Sequence, residues 1–177
     1  MKLIPLSKKG KNKGKYEVMV DDDIFEEVNQ YNWHYNNGYA RNSKMNISLH
    51  RYIWKLKNGD IPKGLDVEHK DQNKLNCCLS NLRLANNSEN QCNITKKKNN
   101  KSGIKGISKH AYKILLKDGT EKEYAYWQAR VTKDKKTYSK PFDYTDKGFE
   151  QAKEWIKNMS LDVQGEFSIY NKPNENK

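Results

Sequence analysis

One stretch constrains this chain more than any other, the run from Leu49 to Thr95, LHRYIWKLKNGDIPKGLDVEHKDQNKLNCCLSNLRLANNSENQCNIT. Glu68-His69 is followed by a polar turn, Lys70-Asp71-Gln72-Asn73. Ser80-Asn81-Leu82-Arg83-Leu84 then reads as a second short strand. Asn86 with Glu89 three residues later fits a capping box, which starts a helix. The layout is strand, loop, strand, helix, with polar side chains converging from each element. Asn73 and Asn76 read as turn formers.

Those side chains suit one kind of chemistry. Hydrolysis of a phosphodiester needs a base for water, a cation to neutralise the phosphate, and ligands that leave the cation open sites. Histidine suits the base because its ordinary pKa lies near neutrality. A carboxylate and an amide oxygen suit a hard ion such as Mg²⁺, which keeps several of its waters. Glu68, His69 and Asn90 supply this set. Adjacent strand residues face opposite ways, so Glu68 and His69 share a site only where the strand ends or twists.

The segment resembles the HNH endonucleases, especially the homing-type enzymes of phages and introns. The resemblance rests on His50-Arg51, Glu68-His69, Asn73, Asn76, Asn81-Leu82-Arg83 and Ser88-Glu89-Asn90, and on the spacing of Asn81 and Asn90 from His69. It implies a small ββα-metal (His-Me finger) core. By carry-over His69 is the general base and Asn81 orients it. Glu68 and Asn90 ligate Mg²⁺ or Mn²⁺. Arg51 lies near phosphate, and His50 is more structural than catalytic although it belongs to the same DNA-side pair. Arg83 is expected at the DNA. Many relatives have Asp where this chain has Glu68.

Charge agrees with a polyanionic partner. The 177 residues carry a formal net charge of +12, and mean hydropathy is -1.14 with 34% hydrophobic residues. Such a chain favours small modules over one thick core, and a basic surface points to nucleic acid. No stretch approaches the roughly 20 apolar residues of a membrane span. The basic N-terminus lacks the apolar segment of a signal peptide, so a cytoplasmic setting in a bacterial or phage-infected cell is expected. Cys77, Cys78 and Cys92 are an odd count with two adjacent, which suggests reduced thiols.

Around the core, residues 1–48 read as an α+β lead-in. Lys15–Val20 is a strand, Asp21-Asp22-Asp23 starts a short helix, and Gly38–Asn42 and Asn46–Leu49 are strands leading into His50–Lys57. Residues 49–98 are the catalytic core and 99–102 a basic linker. Lys96, Lys97, Lys98 and Lys101 are expected to touch phosphate. Residues 103–171 read as a three-stranded antiparallel sheet on one helix, the strands being Gly103–His110, Tyr124–Thr132 and Thr137–Phe142. Trp127, Ala129 and Val131 alternate onto one face, and Tyr126, Gln128 and Arg130 onto the other. Phe149, Ala152, Ile156 and Met159 mark the helix face. From Asn100-Lys101-Ser102-Gly103 through Trp127-Gln128-Ala129-Arg130 to Gly148–Ala152, this part is similar to the plant ethylene-response-factor type of DNA-binding domain. That resemblance puts Lys105, Ser108, Lys109, His110, Trp127 and Arg130 at strand positions near DNA.

The α+β chain is thus expected to be a metal-dependent endonuclease on double-stranded DNA, a monomer or weak dimer. A restriction-type HNH nuclease and a non-catalytic DNA-binding regulator with a vestigial HNH fold are the alternatives. RNA binding through the basic sheet is a third.

Overall fold

The chain opens with two short antiparallel strands, β1 (Lys2–Pro5) and β2 (Glu17–Val20). The three aspartates that follow end the strand and begin a 3-10 turn over Asp22–Ile24, which runs into α1 (Phe25–Asn29) and buries Ile24 and Val28. The Trp33 indole N–H donates to the Val28 carbonyl at 2.8 Å. β3 (His34–Asn36) and β4 (Tyr39–Asn42) form a hairpin, to which β5 (Ile47–Ser48) adds. Asn37 and Gly38 join the first two with φ of 49° and 91°, the left-handed pair that a two-residue hairpin turn favours. The sequence reading misses β1 and β3, because strands this short show too little alternation to be seen.

β5 runs straight into α2 (Leu49–Asn58), which buries Leu49, His50 and Ile53. β6 (Asp66–His69) then pairs antiparallel with β7 (Leu82–Ala85), setting Glu68 opposite Arg83 and His69 opposite Leu82. α3 (Asn87–Asn93) follows, and the expected capping box is formed. Glu89 N–H donates to Asn86 Oδ1 at 3.0 Å, and Asn86 N–H donates to Glu89 Oε2 at 2.7 Å.

The computed structural model describes residues 1–94 and 99–171. They form two compact units, Met1–Asn90 and a second from Gln91 onward. In the first, Ile4, Val18, Val20, Ile24 and Val28 share one core with Leu49, Ile53, Val67 and Leu82. The lead-in residues and the segment from Leu49 are therefore built on the same apolar floor. β2 also holds the loop after His69. Met19 N–H donates to Leu75 O at 2.8 Å, Cys77 N–H to Met19 O at 2.9 Å, and Leu79 N–H to Asp21 Oδ2 at 2.7 Å.

The second unit is the expected sheet and helix. β8 (Ile107–Leu115), β9 (Glu121–Lys133) and β10 (Lys136–Asp143) lie in the order β10-β9-β8, all antiparallel. α4 (Asp146–Gln164) packs Ala152 and Ile156 onto Ile107, Ala129 and Val131. Thr145 caps α4, its hydroxyl accepting from Gly148 N–H at 3.0 Å. A Cβ on Gly148 would sit 2.1 Å from the Asp143 carbonyl oxygen, which is backbone and cannot swing aside. Gly148→Ala is accordingly expected to destabilise this unit by about 1–3 kcal/mol. Urea unfolding checks it, and an unchanged midpoint would show that the strand end yields freely.

Cys77, Cys78 and Cys92 are all buried. Among the described residues no helix is long and apolar enough to cross a membrane.

Candidate active site

His69 is the last residue of β6 and is buried, 6% exposed. Its ring lies 4.8 Å, centroid to centroid, from that of His50, the second residue of α2. Tyr39 of β4 flanks both, at 5.4 Å from His50 and 6.2 Å from His69. Lys74 Nζ lies over the Tyr39 ring at 4.2 Å, and Cys77 Sγ is 3.9 Å from His69 Nε2. Burial pulls the His69 pKa down to about 4. Asp71 works against that shift and Lys74 adds to it. Burial, followed by the His69 and Arg51 charges, takes His50 down to about 3. Both imidazoles are therefore neutral at pH 7, the form that accepts a proton.

Asn81 braces the loop that leaves His69. Its side-chain amide donates to Asp71 Oδ1 at 2.9 Å and to Asn76 O at 2.8 Å, and its Oδ1 accepts from Asp71 N–H at 3.1 Å. Its backbone carbonyl accepts from Lys70 N–H at 2.8 Å. Asp71 also holds Asn73 N–H and the Asn76 amide. One buried carboxamide thus ties both ends of the loop together.

Glu68 stands one residue before His69, where β6 ends, the place at which adjacent side chains can share a site. Its Oε1 accepts from Arg83 Nε at 2.5 Å, and both side chains are 11% exposed. Asn90 is half-buried in α3, and its backbone N–H donates to Asn86 O. Among the described residues no three His, Cys, Asp or Glu side chains gather into a metal-binding cluster. A zinc-type donor set is thus absent from those residues. A hard ion asks for less, and one carboxylate with one carboxamide are oxygen donors of the right kind.

Two sequence expectations in this unit meet different surroundings. The resemblance places His50 at the DNA, but packing against His69 and Tyr39 leaves it 7% exposed. Arg83 is expected there too, yet antiparallel register sets it opposite Glu68, whose carboxylate takes its guanidinium. Arg51 stays at the surface with its Nη1 on Asp66 Oδ1 at 2.9 Å. Cys77, Tyr39 and Lys74 are neighbours of His69 that the sequence reading did not single out. Tyr39 arrives from β4 by long-range folding, Lys74 and Cys77 belong to the loop after His69, and no motif marks them.

The sequence that builds this site is similar to known proteins. The HNH endonuclease family matches residues 48–92, which include His50, Glu68, His69, Asn81 and Asn90. Protein 3.8 of Escherichia phage T7 is 33% identical over 121 residues, covering 68% of this chain and 88% of that protein. The chain belongs to the family of Protein 3.8 and carries an HNH endonuclease domain. An uncharacterized HNH endonuclease of Acanthamoeba polyphaga mimivirus is 36% identical over 118 residues, covering 64% of this chain and 62% of that protein. No solved structure matches the chain.

The HNH match ends at Cys92, so the second unit is judged on its own geometry. Lys105, expected on a strand at the DNA, lies in a turn before β8, next to Gly106 with φ 81°. Its Nζ donates to the Gln91 and Cys92 carbonyls, both at 2.8 Å, and burial lowers its pKa. It caps the end of α3 instead, where orphan carbonyls attract a cation. Trp127 packs inward, 4.7 Å from Phe149 and 4.8 Å from Tyr144, on the helix side of the sheet. Lys101, Lys109 and Arg130 are exposed, with Lys109 Nζ 4.3 Å from the Tyr144 ring centroid. Lys96, Lys97 and Lys98 lie outside the described residues.

Proposed function

We propose that this chain is a metal-dependent endonuclease of the ββα-metal type, acting on double-stranded DNA in a homing-type role, with His69 as general base. The observation that carries this reading is an imidazole buried at the end of β6, before a loop strapped down by Asn81. His69 accepts the proton of the attacking water. Asn81 keeps His69 in place and touches no reacting atom. Glu68 and Asn90 would hold Mg²⁺ or Mn²⁺, which when bound supplies the positive charge that a scissile phosphate requires. Arg83 fixes the Glu68 carboxylate. Arg51, Lys101, Lys109, Arg130 and, by sequence, the Lys96-Lys97-Lys98 run supply positive charge for phosphate and make affinity strongly salt-dependent. One such site per chain nicks a single strand unless two chains act together.

Nicking of supercoiled plasmid with Mg²⁺ tests the reading. His69→Ala is expected to slow nicking at least ~100-fold while binding in EDTA is retained. Equal cleavage by both proteins would remove His69 from the chemistry. A wild-type chain inert with both Mg²⁺ and Mn²⁺ would leave only the DNA-binding reading.

A further inference from the structure

The β8–β9 hairpin outruns the rest of its sheet. β10 pairs with β9 only between Tyr126 and Lys133, whereas β8 follows β9 out to Leu115 opposite Glu121. Residues 111–125 therefore continue as a two-stranded ribbon. Strand alternation gives it two different faces. Ile107 and Ala129, buried against α4, define the inner one. On the outer face, register pairs Ser108 with Gln128, His110 with Tyr126, Tyr112 with Tyr124, and Ile114 with Lys122.

Four of those side chains make a ladder of rings. His110 stacks on Tyr126 at 5.4 Å and 19°, and Tyr112 stacks on Tyr124 at 5.7 Å and 18°. Tyr112 also meets Tyr126 edge-on at 6.3 Å. Tyr112 is 50% exposed and Ile114 41%, so this end of the row of rings is open to water. Both faces carry cations, with Lys109 and Lys113 on the inner one. Glu121 and Glu123 alternate inward, where Glu121 pairs with Lys113 at 2.8 Å. The outer face has Lys122, its Nζ 5.1 Å from the Tyr124 centroid, and exposed Arg130 further along. Asp143, at the end of β10 opposite Tyr126, is the carboxylate on that side.

Rings in a row beside Lys122 and Arg130 fit nucleobases whose faces are uncovered. A duplex hides those faces in its own stack, and a single strand offers them. We infer that the outer face of the β8–β9 ribbon binds single-stranded DNA, its bases stacking on Tyr112, Tyr124, Tyr126 and His110, and its backbone running past Lys122 and Arg130. This shares with the endonuclease reading the premise that the partner is DNA and the cation Arg130, and none of its chemistry.

The experiment is fluorescence anisotropy of the full chain in EDTA with labelled oligo-dT of about 20 nucleotides, an abasic oligomer of equal length, and a duplex. Wild type is expected to hold oligo-dT at least ~10-fold tighter than the abasic strand. Tyr112→Ala with Tyr124→Ala is expected to lose at least ~10-fold on oligo-dT, with duplex affinity within about 2-fold. Tyr112→Phe with Tyr124→Phe, which keeps the ring faces, restores it. Both positions lie outside the hydrophobic cores, so the variants fold. Equal affinity for abasic and base-bearing strands overturns the inference. So does an equal loss on duplex, tighter binding of the matching RNA, or a tyrosine-dependent dimer in sedimentation. His69→Ala leaves oligo-dT binding unchanged. A chain that nicks plasmid but ignores bases therefore sinks this inference alone, and one that binds oligo-dT but never nicks sinks only the endonuclease reading.

Discussion

Asn81→Ala is expected to cost the first unit about 3 kcal/mol or more and to slow nicking at least ~100-fold. The Asn81 side chain is 8% exposed and makes three hydrogen bonds to the loop after His69. Alanine strands the Asp71 N–H and the Asn76 carbonyl, and each such group left unpaired costs about 1–3 kcal/mol. The loop then rests on its ties to Met19 and Asp21, which hold residues 75–79 and not the turn beside His69. Loss of rate follows because a displacement of about 1 Å is enough to spoil a proton transfer. Asn81→Asp is expected to be at least as harmful. It keeps an acceptor for Asp71 N–H but turns a second carboxylate toward Asp71 Oδ1 and the Asn76 carbonyl. Urea unfolding and single-turnover nicking, the latter at a temperature where the variant stays folded, measure the two effects. Full nicking by folded Asn81→Ala would end the positioning role.

The parts of this site that the sequence discloses are those made by near neighbours. The Asn86–Glu89 capping box forms because both partners sit on one helical turn, and the Asp71–Asn76 turn forms because short polar side chains bond their own backbone. Long-range partners leave no such trace. Nothing in Met19 or Asp21 announces that β2 will hold the loop beside His69, and nothing in Tyr39 announces a place against its ring. Charge without register misleads in the same way. Arg83 reads as a DNA contact until antiparallel pairing puts it opposite Glu68, a relation that counting outward from the hairpin loop could have found. Trp127 is the reverse case. Its alternation with Ala129 and Val131 already points it inward, and the family likeness points it out. The packing on Phe149 agrees with the alternation. The length of the β8–β9 ribbon is missed because its distal half has no buried face, so the period-2 contrast that marks a strand is absent there.

Acid is expected to destabilise the first unit before its carboxylates protonate, and His50 is a main reason. Free histidine titrates near 6.5, whereas burial beside His69 and Arg51 takes His50 to about 3. Above pH ~6.5 neither the folded nor the unfolded chain binds this proton, so stability is flat there. Below it the unfolded chain takes up a proton that the folded chain refuses. Stability then falls by about 1.4 kcal/mol for each pH unit, until the folded chain also protonates near pH 3. At pH 4.5 the loss from His50 alone is about 3 kcal/mol, a large share of the roughly 5–15 kcal/mol that holds a domain together. His69, its ring 4.8 Å away and also shifted down by burial, acts in the same direction. His50→Gln keeps a polar group of similar reach that cannot be protonated, so the variant should lose much less stability between pH 6.5 and 4.5. Urea unfolding in EDTA across that range, followed at Trp33 in the first core, gives the number of protons taken up on unfolding from the slope. The same slope in both proteins would show that His50 is protonated in the folded chain, and that the pair of rings is not the neutral, dry cluster its packing describes.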